Sequence, residues 1–81
     1  MAKSLHAPRY KYLPSLLIQL RHEAGLTQRE LANKLRISQS LIHKSEIGER
    51  RVDVAEFMDW CVACGVDPEQ GFRTLREQRG I

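Results

Sequence analysis

The chain has 81 residues, of which 42% are hydrophobic, and it carries a formal net charge of +3. This length accommodates one domain with a small core, and the hydrophobic content excludes a disordered polar tail. The longest apolar stretch near the start, residues 13–20, is interrupted by Pro14 and Gln19. We therefore expect neither a secretory signal peptide nor a membrane span, and we expect a cytoplasmic protein.

Charge is distributed unevenly along the chain. Residues 1–51 contain ten Lys and Arg and four Asp and Glu, a net charge of +6. Residues 52–81 contain three Arg and six Asp and Glu, a net charge of −3. The first part would attract a polyanion, although asymmetries of this size are frequent in soluble proteins.

Residues 1–12 are predicted to form a basic N-terminal arm ahead of a domain that spans residues 13–79. Pro8 blocks an earlier helix start, and the basic residues of the arm are Lys3, His6, Arg9 and Lys11. Such an arm could follow a nucleic-acid backbone. A tail without fixed structure is the simpler alternative.

The first helix is predicted to begin between Arg9 and Leu13 and to end at Ala24, where Gly25 supplies a stop. Four leucines recur at helical spacing and predict one buried stripe: Leu13, Leu16, Leu17 and Leu20.

Two short helices follow, each with a hydroxyl residue at its N-cap. Thr27 and Glu30 form a capping-box pattern at the start of a helix predicted over residues 28–35. After a short link, Ser38 caps a helix predicted over residues 39–47.

The last two helices also have clear start signals. Asp53 precedes a helix predicted over residues 54–64, and Asp67 with Pro68 begins a helix predicted to reach residue 78. No segment alternates with period two, so we predict an all-α fold of five helices.

Residues 27–48 place two helices of about eight residues around a short turn, which is the geometry of a helix-turn-helix. The second helix carries polar side chains whose donors and acceptors can pair with base edges in the major groove of DNA: Gln39, Ser40, His43 and Lys44. The N-termini of both helices offer free amide groups to phosphates. An ordinary helical hairpin with a solvated polar face is the alternative that this chemistry leaves open.

Ten residues carry the pattern T-Q-x-x-L-A, an apolar residue, S-x-S, an apolar residue and E-x-G: Thr27, Gln28, Leu31, Ala32, Ile37, Ser38, Ser40, Ile42, Glu46 and Gly48. In these residues and their spacing, the chain resembles the Cro/C1-type, lambda-repressor-like helix-turn-helix regulators of the xenobiotic-response-element (XRE) family. The resemblance covers roughly residues 13–75. It implies a five-helix lambda-repressor-like domain that binds double-stranded DNA, catalyses no reaction and needs no metal or cofactor.

The resemblance also implies roles within the recognition helix. Gln39 and Ser40 would be the principal base readers, and Lys44 would reach bases or phosphate one turn later. His43 lies beside them as a weaker candidate. Gln28, at the start of the preceding helix, would contact a phosphate and brace the recognition helix.

Further roles follow from the same resemblance. Ser38 would cap the recognition helix and touch the DNA backbone, and Arg50 and Arg51 would contact phosphates after it. Arg21 and Glu46 would form a partly buried, structural ion pair between the first and third helices. Loss of either partner would leave a poorly solvated charge.

The chain departs from the family pattern at three positions. Arg36 stands where Gly is usual, at a turn position that often requires a positive φ. Ser45 replaces an apolar or aromatic residue, so we expect a less firmly anchored recognition helix. Ile47 replaces a frequent Asn.

The segment WCVAC (60–64) contains a C-x-x-C pattern. Because Cys61 and Cys64 fall late in a helix, we favour core packing over redox sensing or a shared metal. Trp60 could be either a core residue or an exposed interface residue. Together with Phe72 and Leu75, it indicates the last two helices as a dimer surface.

The resulting hypothesis is a sequence-specific transcriptional regulator, acting as a repressor or autoregulator. Because one such domain contacts few bases, we expect a homodimer on a palindromic operator. A protein-interaction module, such as an antitoxin or antiactivator of a mobile element, is the alternative. A thiol redox protein is a third possibility.

Overall fold

A computed structural model describes residues 8–79, and it is helical from end to end apart from short turns. A 3-10 helix (Pro8–Lys11) precedes five α-helices: α1 (Tyr12–Glu23), α2 (Gln28–Leu35), α3 (Gln39–Glu46), α4 (Val54–Ala63) and α5 (Pro68–Arg79). No strand occurs within residues 8–79. The predicted all-α fold of five helices is confirmed, and the predicted ends of the helices are each within one residue of those observed.

Part of the predicted N-terminal arm is helical. Residues 8–11 form the 3-10 helix, which continues directly into α1 at Tyr12. The basic residues Lys3 and His6 lie outside the described residues, and so does the side chain of Arg9.

Local hydrogen bonds explain why the helix starts were predictable. The Thr27 hydroxyl accepts a bond from the Glu30 amide at 3.0 Å, and the Thr27 amide donates to Glu30 Oε1 at 2.9 Å. The same reciprocal pair joins Asp53 and Glu56 at the start of α4. Each pair provides hydrogen-bond acceptors for backbone N–H groups that have no acceptor within the helix. Each pair therefore fixes the residue at which its helix begins.

The core lies where α1, α2, α3 and α4 meet, and Trp60 is its largest fully buried side chain. Trp60 is 1% exposed, and its Nε1 donates to the Leu17 carbonyl at 3.2 Å. This corrects the expectation that Trp60 could contribute to a dimer surface. The indole ring packs in the core and its N–H is hydrogen-bonded, both within one chain. By contrast, Phe72 is exposed and Leu75 is half-buried.

Helices α4 and α5 approach closely at Gly71. A Cβ atom at Gly71 would lie 2.5 Å from the Cys61 sulfur, so only glycine fits there without a shift. Cys61 and Cys64 are both buried and both free thiols. Their packing against α5 and the core agrees with the favoured structural interpretation.

The chemistry of the two thiols argues against a reactive pair. Burial is the main cause that raises the pKa of Cys61 to about 11, with a smaller contribution from the negative charge of Asp67. Burial likewise raises the pKa of Cys64 to about 11. A redox-active cysteine needs a lowered pKa and access to solvent, and these thiols have neither. Within residues 8–79, no three His, Cys, Asp or Glu side chains form a group that could hold a metal ion.

None of the helices in residues 8–79 is long and apolar enough to cross a membrane.

Candidate nucleic-acid interface

Helix α3 separates its residues into a buried face and an exposed face. Ile42, Ser45 and Glu46 are buried. The four predicted DNA-reading side chains of this helix are all exposed: Gln39, Ser40, His43 and Lys44. Residues three or four positions apart are neighbours on a helix surface, so Gln39 lies beside His43, and Ser40 lies beside His43 and Lys44. The four side chains therefore form one polar surface.

Ser38 determines where this surface begins. Its backbone is extended, and its Oγ accepts a hydrogen bond from the Leu41 amide at 3.3 Å. The cap leaves the N-terminal turn of α3 in solvent, with Gln39 and Ser40 exposed there. The positive end of the helix dipole therefore coincides with the two predicted base readers.

A buried ion pair fixes the inner face of α3 to α1. Arg21 Nε lies 2.7 Å from Glu46 Oε2, and Arg21 Nη2 lies 3.1 Å from Glu46 Oε1. Arg21 Nη1 also donates to the Leu26 carbonyl at 3.0 Å. The two-point contact restricts both position and rotation of α3, because a planar guanidinium and a carboxylate fit in one orientation.

Gln28 adds a third hydrogen bond to the same carboxylate. Its Nε2 donates to Glu46 Oε1 at 2.9 Å, which connects the first residue of α2 to the last residue of α3. Glu46 therefore receives bonds from α1 and α2. The amide of Gln28 is oriented by this bond, so a phosphate would meet a side chain already held in place.

Ser45 anchors α3 by polar contacts instead of apolar packing. It is fully buried, its Oγ donates to the Leu41 carbonyl at 2.8 Å, and it accepts from Arg50 Nη1 at 3.1 Å. The expected loosening of α3 at this position is therefore not observed. A buried hydroxyl with both hydrogen-bonding functions satisfied holds its neighbours in a defined geometry.

Arg50 has protein partners on two sides. Besides its bond to Ser45, its Nη2 forms an ion pair with Glu56 in α4. The side chain therefore joins the end of α3 to the start of α4, and this role was not predicted. Its predicted contact with a phosphate stays a prediction.

Arg51 lies over an aromatic ring that sequence reasoning missed. Its guanidinium carbon is 4.7 Å from the centroid of the Tyr10 ring, and the Tyr10 hydroxyl accepts a bond from the Val52 amide at 3.0 Å. The 3-10 helix thus holds the loop after α3 at two adjacent points. No local pattern could reveal this, because 42 residues separate Tyr10 from Val52.

The turn between α2 and α3 has the strained geometry that its sequence suggests. Arg36 has φ 58 and is the one non-glycine residue with positive φ in residues 8–79. The Ile37 amide then bonds to the Ala32 carbonyl at 3.1 Å, which closes the end of α2. Arginine thus adopts the left-handed conformation in which glycine is usual.

Comparison with known proteins agrees with this geometry. Residues 15–70 match the model of a family described as a helix-turn-helix domain. A solved structure described as an XRE-family like protein from Pseudomonas syringae pv. tomato str. DC3000 is similar over 95% of this chain and 94% of that one, with 44% identity and a TM-score of 0.81. The chain belongs to the XRE family of helix-turn-helix regulators.

The search of curated proteins gave no match to this XRE-family chain. Membership of the XRE family confirms the resemblance that residues 27–48 indicated. It also confirms the lambda-repressor-like fold and a DNA-binding regulatory function. In this XRE-family domain, α2 and α3 form the helix-turn-helix, and the polar surface of α3 is its candidate contact with DNA.

Proposed function

We propose that this protein is a sequence-specific repressor or autoregulator that binds a palindromic operator as a homodimer. The observation that carries the proposal is the exposed surface of α3, with Gln39 and Ser40 at its N-terminal end. A DNA-bound domain can repress by occupying its site, and this action needs no further contact. Such a regulator would act on chromosomal or phage DNA in the cytoplasm.

Gln39 and Ser40 are assigned as base readers because of their chemistry and position. A glutamine amide can pair with adenine through two bonds, and a serine hydroxyl can donate to or accept from any base edge. Lys44 lies one turn further along and would bind a base acceptor or a phosphate, with His43 beside it. Both are exposed on the same surface.

Backbone contacts are assigned to the residues around this surface. Ser38 and Gln28 would meet phosphates at the N-termini of the two helices, where amides and dipoles favour an anion. Arg51 would bring a positive charge to a phosphate after α3. Arg50 would act mainly by holding the loop, since it is paired with Glu56 and bonded to Ser45.

The homodimer follows from the number of bases that one recognition helix can read. A single α3 presents four side chains to the groove, and a two-fold dimer doubles the contacts. It would read half-sites about 34–36 Å apart, which is one turn of DNA.

The proposal is tested by selecting bound sites from a pool of random double-stranded DNA. We expect enrichment of an inverted repeat, and affinity that falls steeply as salt rises. Recovery of no preferred sequence would contradict specific regulation and favour a protein-interaction module. Transcription from a promoter that carries the selected site should then fall when the protein is added.

The base readers are tested with single variants on the selected site. Gln39→Ala and Ser40→Ala should each cost about 1–3 kcal/mol at particular base pairs and relax preference there. Asn33→Ala, on an exposed residue of α2, is the matched control for loss of an uncharged polar side chain. Unchanged site selection by both α3 variants would contradict their assignment.

A further inference from the structure

The two carboxylate oxygens of Glu56 have different partners. Oε1 accepts a hydrogen bond from the Asp53 amide at 3.3 Å, which completes the cap of α4. Oε2 forms the ion pair with Arg50 Nη2. A capping box accepts either Glu or Gln at this position, so the cap does not require a negative charge. Of these two contacts, only the one with Arg50 depends on the charge of Glu56.

The backbone of Arg50 lies beside the polar surface of α3. Its amide donates to the Lys44 carbonyl at 3.1 Å, and the Glu49 amide donates to the same carbonyl at 2.9 Å. The Lys44 side chain is exposed on the polar surface, and Arg51, next in the chain, is also exposed. Arg50 is therefore a third positive charge at the edge of the surface that would meet DNA.

The side chain of Arg50 is nevertheless turned towards the protein. Nη1 donates to Ser45 and Nη2 donates to Glu56, so each terminal nitrogen already has a protein acceptor. The ion pair is only partly buried, with 27% of the Arg50 side chain and 34% of the Glu56 side chain exposed. Carboxylates and phosphates bind the same guanidinium donors. Glu56 thus takes up a donor that a DNA phosphate would otherwise accept from.

We propose that Glu56 withholds Arg50 from DNA and thereby limits sequence-independent binding. This role rests on the DNA binding of the proposed function and concerns its backbone component. Contacts with phosphates supply the salt-dependent affinity for DNA of any sequence. With the carboxylate in place, Arg50 holds the loop between α3 and α4 and makes no phosphate contact. Without it, the half-buried guanidinium lacks a counter-charge, and a phosphate becomes its anionic partner.

Glu56→Gln tests this role and keeps the cap of α4. The amide oxygen still accepts from the Asp53 amide, whereas the NH2 group cannot accept a bond from Arg50. Binding to a fluorescently labelled duplex of random sequence is measured by anisotropy at several salt concentrations. We expect the variant to bind about two- to fivefold more tightly than the wild type. The slope of log K against log salt should be steeper by about 0.9, the value for one additional phosphate contact.

A double-mutant cycle with Arg50→Ala separates release of Arg50 from loss of repulsion. If Glu56 acts by holding Arg50, Glu56→Gln should bring no gain of affinity and no steeper slope in the Arg50→Ala background. If the carboxylate merely repels DNA, the gain should persist or increase there, because the charge is then unpaired. Persistence of the gain would overturn the proposal.

Arg50→Ala alone gives a second measurement that needs no change at Glu56. Because Arg50 makes no phosphate contact in the wild-type chain, this variant should keep the wild-type salt slope. A slope that is shallower by about 0.9 would show that Arg50 already binds a phosphate, and the proposal would be wrong. Thermal unfolding shows whether each variant is folded.

Asp53→Asn is the matched control for the loss of one negative charge. It changes the same end of α4 and keeps a side-chain oxygen for the cap. The Asp53 carboxylate accepts from the Glu56 amide at 2.8 Å, so its neutralisation leaves the ion pair of Arg50 in place. We expect an unchanged salt slope. Equal steepening in Asp53→Asn and Glu56→Gln would reveal a general effect of charge and contradict a specific role of Glu56.

The outcomes separate this inference from the proposed function, because the titrations use random duplex and need no operator. A chain that selects an operator, but whose salt slope is unchanged by Glu56→Gln, would overturn the role of Glu56 and leave the regulator intact. A chain that selects no sequence, but shows the increase that depends on Arg50, would support the role of Glu56 and contradict sequence-specific regulation.

Discussion

The guanidinium group of Arg21 holds the carboxylate of Glu46 by two contacts, at 2.7 Å and 3.1 Å, although 25 residues separate them in the chain. The Glu46 side chain is 3% exposed and that of Arg21 is 11% exposed. Neither charge is solvated well enough to remain without the other. The last residue of α3 is thereby fixed to α1, and the orientation of the exposed polar surface of α3 depends on this pair.

Removal of Arg21 should therefore destabilise the domain strongly. Arg21→Ala leaves the Glu46 carboxylate buried with only the Gln28 amide as partner, and we expect a loss of about 3–5 kcal/mol. Urea unfolding followed by circular dichroism measures this loss. Arg29→Ala, which removes an exposed arginine, should change stability by less than about 0.5 kcal/mol. Similar losses in the two variants would show that the ion pair contributes little.

Replacement of Arg36 by glycine should increase the stability of the fold. At φ 58, arginine is in a conformation that costs L-residues about 1–2 kcal/mol, part of which is offset by the greater entropy that glycine loses on folding. We expect Arg36→Gly to stabilise the fold by about 0.5–1 kcal/mol. Arg36→Ala removes the same charge and keeps the strain, so it should give no gain. Equal stability of the two variants would mean that the change in stability comes from loss of the charge and not from relief of backbone strain.

Gly71 should not tolerate alanine. The added Cβ would lie 2.5 Å from the Cys61 sulfur, and overpacking of this kind costs about 1–3 kcal/mol. The double variant Gly71→Ala with Cys61→Ala removes the sulfur atom and should be more stable than the sum of the single changes predicts. Denaturant unfolding of the wild type, the two single variants and the double variant gives four free energies of unfolding, and their comparison gives the coupling energy. Strict additivity would place the cause of the loss elsewhere, for example against Phe57.

Tyr10 should influence DNA affinity through Arg51. Tyr10→Leu removes the ring beneath the guanidinium, an interaction worth about 0.5–1 kcal/mol at exposed sites, whereas Tyr10→Phe keeps the ring and removes only the acceptor for the Val52 amide. If Arg51 binds a phosphate, Tyr10→Leu should weaken binding to every sequence alike, and Tyr10→Phe should have the smaller effect.

A double-mutant cycle distinguishes this coupling from general damage to the fold. In an Arg51→Ala background, Tyr10→Leu should cause little further loss of affinity in gel-shift titrations. Full additivity of the two losses would show that Tyr10 acts on binding independently of Arg51.

Interactions between residues close together in the chain determine much of this fold, so the sequence alone was enough to predict it. Helix starts were predictable because Thr27 and Asp53 bond to residues three positions away, so the interaction and its cause lie within one turn. The periodic leucines indicated the buried side of α1 for the same reason. The pattern in residues 27–48 was sufficient to indicate the family, the fold and the polar surface of α3.

Only the tertiary structure decided how distant side chains are used. Trp60 bonds to a carbonyl 43 residues away, so its burial could not be read from its neighbours in α4. Arg50 was expected at a phosphate, and the conformation of the loop between α3 and α4 gives it Ser45 and Glu56 as partners. Tyr10 reaches the loop after α3 because the chain folds back on itself. Such contacts depend on the relative placement of helices, and sequence spacing does not specify that placement.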